Sequence, residues 1–127
     1  MNEVVFYVCE TCGNLVAMIN DAGVNPVCCG NDMKKLVPGE IDAATEKHVP
    51  FVTVKGDTVT VQVGEVAHPM TEEHLIKWVY VQTEKGSQLK KFSANDAPKA
   101  TFTLKDDKAV AVYAYCNLHG LWKAEIE

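Results

Sequence analysis

Runs in which apolar and polar residues alternate recur along most of this chain. Thr58-Val59-Thr60-Val61-Gln62-Val63 alternates strictly, with valines on one face and two threonines and a glutamine on the other. A period of two predicts a half-buried strand, and the Lys55-Gly56-Asp57 turn joins it as a hairpin to residues 51–54. Residues 75–83 read as another strand, with Trp78 and Tyr80 on one face and Val79 and Val81 on the other. Lys85-Gly86 then turns the chain towards residues 89–92. Residues 100–104, a Lys105-Asp106-Asp107-Lys108 turn and residues 109–115 form a further hairpin, and residues 121–126 add an edge. No run shows helical periodicity. About seven short strands separated by turns predict an all-β unit, an antiparallel sandwich of immunoglobulin type. Trp78, Trp122, Phe92 and Phe102 are read as core or interface residues without chemistry.

The first part of the chain differs. A short β-rich run, Val4-Val5-Phe6-Tyr7-Val8, leads into Cys9-Glu10-Thr11-Cys12-Gly13, and later comes Pro26-Val27-Cys28-Cys29-Gly30. A segment this short buries little core, so four thiols in it point to a metal staple. Gly13 and Gly30 each follow a cysteine, where glycine turns the backbone tightly and aims amides at sulfur. A thioredoxin-like use of the C-x2-C is weaker, because no βαβ pattern surrounds it. Adjacent Cys28 and Cys29 cannot both take relaxed knuckle geometry, which predicts a distorted tetrahedron. The ligands alone suit zinc and iron equally. The Pro38-Gly39 turn signal and a change of composition place a boundary near residue 37, giving units 1–37 and 38–127.

Composition narrows the partners. With 47% hydrophobic and 23% charged residues the chain is globular rather than disordered. A net charge of −5 argues against nucleic acid, whose phosphates need a basic face. No run is long enough to suggest a membrane span, and Met1-Asn2-Glu3-Val4 does not begin a signal peptide, so a cytoplasmic protein is expected. Five cysteines, an odd count, favour reduced thiols and metal ligation over disulfides.

The fifth cysteine, Cys116, stands apart from the others in Cys116-Asn117-Leu118-His119. The remaining histidines lie in Glu46-Lys47-His48, in His68-Pro69 and at His74, all beside expected strand ends. Any one loop histidine is more often solvated or structural than a ligand. As a set, four imidazoles and one thiolate overshoot the four ligands of a structural zinc site. Five ligands in a square pyramid leave a sixth position free, as a substrate-binding redox metal requires.

These residues, Glu46-Lys47-His48, His68-Pro69, His74 and Cys116-Asn117-Leu118-His119, together with the Cys9-x2-Cys12…Cys28-Cys29 unit, resemble desulfoferrodoxin, the two-iron class of superoxide reductase. The resemblance spans nearly the whole chain and accounts for all its cysteines and histidines. It implies a desulforedoxin-like iron site on Cys9, Cys12, Cys28 and Cys29. It also implies a catalytic iron with His48, His68, His74 and His119 equatorial and Cys116 axial. Lys47 would then steer superoxide, and Glu46 would occupy the open position of the oxidised form. The implied reaction is one-electron reduction of superoxide to hydrogen peroxide without dioxygen, fed by a rubredoxin-like donor, in a homodimer. A calcium ion at a dimer contact is compatible with this reading and not legible. Competing readings are an electron carrier with no substrate, a zinc-stabilised interaction module, and, nearer at hand, a superoxide dismutase.

Overall fold

The structure is a computed structural model that describes residues 3–126. It divides into two compact units, Met1–Val37 and Pro38–Glu127.

In the first unit, strands β1 (Phe6–Val8), β2 (Leu15–Ala17) and β5 (Lys34–Lys35) form an antiparallel sheet in the order β2-β1-β5. A second hairpin joins β3 (Val27–Cys28) to β4 (Asn31–Asp32). Few residues of this unit are buried: Phe6, and a cluster of Tyr7, Cys9 and Met33 with Val5, Met18 and Cys28 packed against it. Two cysteines thus belong to the packing itself, as expected where a core this small needs a cross-link.

The second unit is a sandwich of two antiparallel sheets. One has the order β10-β7-β6, from β6 (Pro50–Lys55), β7 (Thr58–Val63) and β10 (Lys99–Thr103). The other has the order β12-β11-β8-β9, from β8 (Ile76–Thr83), β9 (Ser87–Lys91), β11 (Ala109–Cys116) and β12 (Gly120–Glu125). The alternation seen in the sequence has its physical counterpart here. Val59, Val61 and Val63 of β7 pack with Ile76, Val79 and Val81 of β8 and with Val112, Ala114 and Cys116 of β11 in one buried cluster. Residues alternate in and out because successive side chains of a strand point to opposite faces. The sequence showed no helix, yet Thr45–His48 forms one helical turn, α1, too short for periodicity to reveal.

The register sets the position of the site. Pro50 at the start of β6 pairs with Val63 at the end of β7. Cys116 at the end of β11 pairs with Ile76 at the start of β8 and with Gly120 at the start of β12. Each of the five candidate ligands of this unit therefore lies at, or a few residues beyond, the same end of its sheet. The segment after β7 also carries α1: Val66 N–H donates to Glu46 O (2.9 Å), and His68 N–H donates to Val63 O (2.8 Å). Gly64 lies under this turn. A Cβ there would sit 2.6 Å from Glu46 O, 2.8 Å from the Lys47 carbonyl carbon and 2.9 Å from Val49 O, all backbone atoms that no rotamer change moves. Gly64→Ala is expected to cost about 1–3 kcal/mol through overpacking. Urea denaturation should show a lowered midpoint; an unchanged one would mean that α1 does not rest on this glycine.

Candidate metal centres

Two groups of side chains converge among the described residues. Cys9, Cys12, Cys28 and Cys29 form one, and His48, His68, His74, Cys116 and His119 the other; within each, the ligand atoms lie within 4.8 Å of one another. No third group of three or more His, Cys, Asp or Glu residues gathers in this way among the described residues.

All five cysteines are free thiols. In the first group Cys12 Sγ is 3.7 Å from Cys28 Sγ, and Cys28 Sγ is 4.0 Å from Cys29 Sγ. A tetrahedron with metal–sulfur bonds of about 2.3 Å has sulfur atoms about 3.8 Å apart, so these spacings fit a four-thiolate metal. The adjacency of Cys28 and Cys29 is accommodated by Cys29 itself, whose backbone is left-handed (φ 54°), followed by Gly30 at φ 76°. Amides do point at sulfur, but not those of the glycines. Cys12 N–H donates to Cys9 Sγ and Asn14 N–H to Cys12 Sγ, each at 3.4 Å, whereas Gly13 N–H donates to the Cys9 carbonyl. The Cys12 amide brings the Cys9 thiol down to about 6. Cys29 is pushed up to about 12, chiefly because its thiol donates to Cys12. The metal-free cluster thus holds thiolate and thiol side by side, and a divalent cation displaces the remaining protons.

The second group is more ordered than five nearby donors need be. Four ring pairs, His48–His68, His68–His74, His74–His119 and His119–His48, have centroids 4.5, 4.6, 5.0 and 4.9 Å apart with near-perpendicular planes. The His48–His74 pair is 6.4 Å apart. That longer separation is the diagonal of a square; in a tetrahedral set the pairs would be equivalent. Cys116 Sγ lies 3.9 Å from His119 Nδ1 and is fully buried. Four imidazoles in a square outline with a thiol close by offer five donors, which suit a tetragonal or octahedral metal and do not suit tetrahedral zinc.

Ring tautomers give an independent indication. His48 Nδ1–H donates to Ala44 O (2.7 Å), and His68 Nδ1–H donates to Pro69 O (2.6 Å), since a carbonyl only accepts. In the neutral rings both Nε2 atoms are therefore bare, and they face each other at 3.0 Å. His48 Nε2 is also 3.1 Å from His119 Nδ1, and buried His74 Nε2 has no hydrogen-bond partner. Nitrogen atoms about 3.0 Å apart are what metal–nitrogen bonds of about 2.1 Å at right angles require. A proton is a poor substitute: burial lowers the proton affinity of His48, His74 and His68, the last to about 4. Burial also pushes the Cys116 thiol up, partly offset by the Leu118 and His119 amides, so metal binding at this centre releases its proton.

His48, His68 and Cys116 are buried, while His74 and His119 are half-buried and Glu46 and Lys47 exposed. The Lys47 charge is felt at both His48 and His74, and the Glu46 charge at His48. Trp122 takes part in a way its sequence did not suggest. Its ring stacks on His48 (5.0 Å, 30°), and its Nε1–H donates to His119 O (3.0 Å). Its place one turn after a ligand was the available signal; alternation alone marks it as core.

The histidine shifts carry a sign. A buried histidine with a lowered folded-state value binds its proton more readily in the unfolded chain, so stability is full above about 6.5 and falls as pH drops towards the folded-state values. Urea midpoints of metal-free protein should therefore fall between about pH 6.5 and pH 4. A His68→Gln variant should show a shallower fall across that window; a slope equal to the parent's would refute the assignment to His68.

Comparison with known proteins agrees with this architecture. The Desulfoferrodoxin family model matches residues 40–125, and the model described as Desulfoferrodoxin, N-terminal domain, matches residues 1–36. A desulfoferrodoxin of Nitratidesulfovibrio vulgaris is 45% identical over 124 residues, covering 98% of both chains. The crystal structure of the superoxide reductase from Treponema pallidum has a TM-score of 0.82 at 42% identity, covering 98% of this chain and 100% of that one. A one-iron superoxide reductase from Giardia intestinalis is similar over 65% of this chain and 98% of its own, with TM-score 0.56 and 32% identity. Two family models, between them spanning nearly the whole length, and the two donor groups they enclose place this chain in the desulfoferrodoxin family.

Proposed function

We propose that the protein is a superoxide reductase that converts superoxide to hydrogen peroxide with one electron and two protons. The observation that carries this reading is the convergence of four imidazoles in a square outline with a buried thiol, five donors where a structural zinc site takes four. His48, His68, His74, His119 and Cys116 would together hold iron. When bound, the iron supplies a one-electron couple and a coordination position for a small anion. The chain's own part is to hold those donors rigid, to keep Cys116 ionised once metal is present, and to charge the approach.

The Lys47 charge is felt at His48 and His74, which supports attraction of an anion despite the net negative charge, because a local field governs capture. Glu46 supplies the one carboxylate of α1, an anion able to compete with substrate for the open side. The four-cysteine group would hold a second iron whose coordination is saturated, fitted to electron transfer alone. Its Cys12 and Cys29 are exposed, which supports entry of electrons from a rubredoxin-like donor. Exposed Ile19, Val24 and Val27 in the same unit support a homodimer. Five unpaired thiols and the absence, among the described residues, of any helix long and apolar enough to cross a membrane support a cytoplasmic setting. We further propose units 1–37 and 38–127 as the iron-bearing electron-transfer and catalytic domains.

Product stoichiometry tests the reaction. One peroxide per superoxide without dioxygen is expected; dioxygen evolution would indicate dismutation, and zinc in place of iron would remove the redox reading. Replacing Lys47 with Gln is expected to slow superoxide capture about tenfold at low ionic strength, with the difference shrinking as salt is raised. Pulse radiolysis across a salt series measures this, and coincident curves for the two proteins would exclude Lys47 from steering.

A further inference from the structure

His48 and His68 are oriented by their own ring N–H groups, but His74 has no hydrogen bond through its ring among the described residues. Its backbone is held instead. On one side Thr71 Oγ1 accepts from His74 N–H (3.1 Å), and Thr71 N–H donates to His74 O (2.9 Å). On the other side stands Asn117. Its Nδ2–H donates to Glu73 O (2.9 Å), its Oδ1 accepts from Leu75 N–H (3.0 Å), and its own N–H donates to Leu75 O (3.2 Å). These bonds grip the residues immediately before and after His74. Asn117 is itself the residue after Cys116, in the turn that leads to His119.

Placement explains why an amide is used here. Regular pairing of β8 with β11 ends at Ile76 and Cys116, with a register shift between Tyr115 and Cys116. Beyond that point the loop bearing His74 would be free of the sheet. A primary amide presents a donor and an acceptor in one plane, and so imitates the peptide group that the ladder has run out of. A hydroxyl has no such reach, and a carboxylate lacks the donor.

We propose that Asn117 is a positioning residue that fastens the His74 loop to the Cys116–His119 turn, so that the His74 imidazole and the Cys116 thiol keep one mutual geometry. The inference rests on the ligand roles given under the proposed function. It does not depend on superoxide chemistry, because Asn117 acts through the backbone of residues 73–75. Partners of this kind outside the coordination sphere typically change metal affinity 10- to 100-fold.

The test uses full-length protein loaded with iron at both centres. Asn117→Ala removes both side-chain bonds, whereas Asn117→Asp keeps the acceptor for Leu75 and loses the donor to Glu73. Glu73→Gln alters only an exposed side chain and serves as the control. A chelator challenge of the reduced protein is expected to strip iron from the histidine centre about 10- to 100-fold faster in Asn117→Ala and measurably faster in Asn117→Asp. The thiolate-to-iron absorption band of the oxidised variants should shift, while the four-cysteine iron in the same chain keeps its spectrum and its release rate. Hydrogen exchange at the Leu75 amide should accelerate in the Ala variant and stay protected in the Asp variant. Parental release and an unmoved band in the Asp variant would overturn the proposal, even if the Ala variant fails to fold. A Glu73→Gln protein as labile as Asn117→Ala would also overturn it. A parent that loads iron but does not reduce superoxide would defeat the proposed function and leave these comparisons intact.

Discussion

Everything at the sandwich end answers to one constraint: ring nitrogens without protons are brought face to face where water does not reach. Two carbonyl groups, of Ala44 and Pro69, accept hydrogen bonds from the Nδ1–H groups of His48 and His68, and the bare Nε2 atoms then stand 3.0 Å apart. Lone pairs at that distance repel unless a cation lies between them. Burial removes the simplest cation, the proton, by lowering the basicity of the rings. What remains favourable is a metal ion, and the square outline of the rings restricts which kind.

The sandwich is the means of imposing that repulsion. Strand register delivers the ligands to one edge, with a register shift in β11 just before Cys116. Cys116 is both the last residue of β11 and a member of the valine-rich core, so the thiol is aimed from beneath by packing, not by a loop. Around it, loops are tied by hydrogen bonds at several points: Val66 to α1, Asn117 to the residues flanking His74, Trp122 to His119. Each bond fixes a backbone and leaves the ring nitrogens free for metal. The small N-terminal unit solves the opposite problem, since four thiolates supply the cohesion that Tyr7 and Met33 cannot.

Much of this was legible in the residues. The β7 run alternates without exception and lies as written, valines inward and threonines outward. The turn signal at Gly56 joins a hairpin as expected, but the one at Lys105 to Lys108 does not: β10 pairs with β7 and β11 with β8 and β12, so the hairpin expected there is a crossover from one sheet to the other. The donor set was visible because histidine and cysteine are few here and sit at strand ends. Less legible were contacts whose meaning depends on a distant partner. Trp122 reads as core in any alternating strand, and only the fold lays it against His48. The glycines following Cys12 and Cys29 suggested amide donors to sulfur, but the amides of Cys12 and Asn14 fill that place. Helix α1 is a single turn and leaves no periodic trace.

By itself the sequence determined the inventory: alternating strands, two classes of donor, a cysteine-rich head and an acidic surface. These follow from local rules, since strand period and residue chemistry do not depend on what lies across the sheet. Tertiary structure decided the geometry. A square and a tetrahedron can be built from the same imidazoles, and the choice between them rests on register, on which ring N–H donates to a carbonyl, and on where Cys116 is buried. Those are relations between residues far apart in the chain, 71 positions in the case of His48 and His119, and no local pattern encodes them.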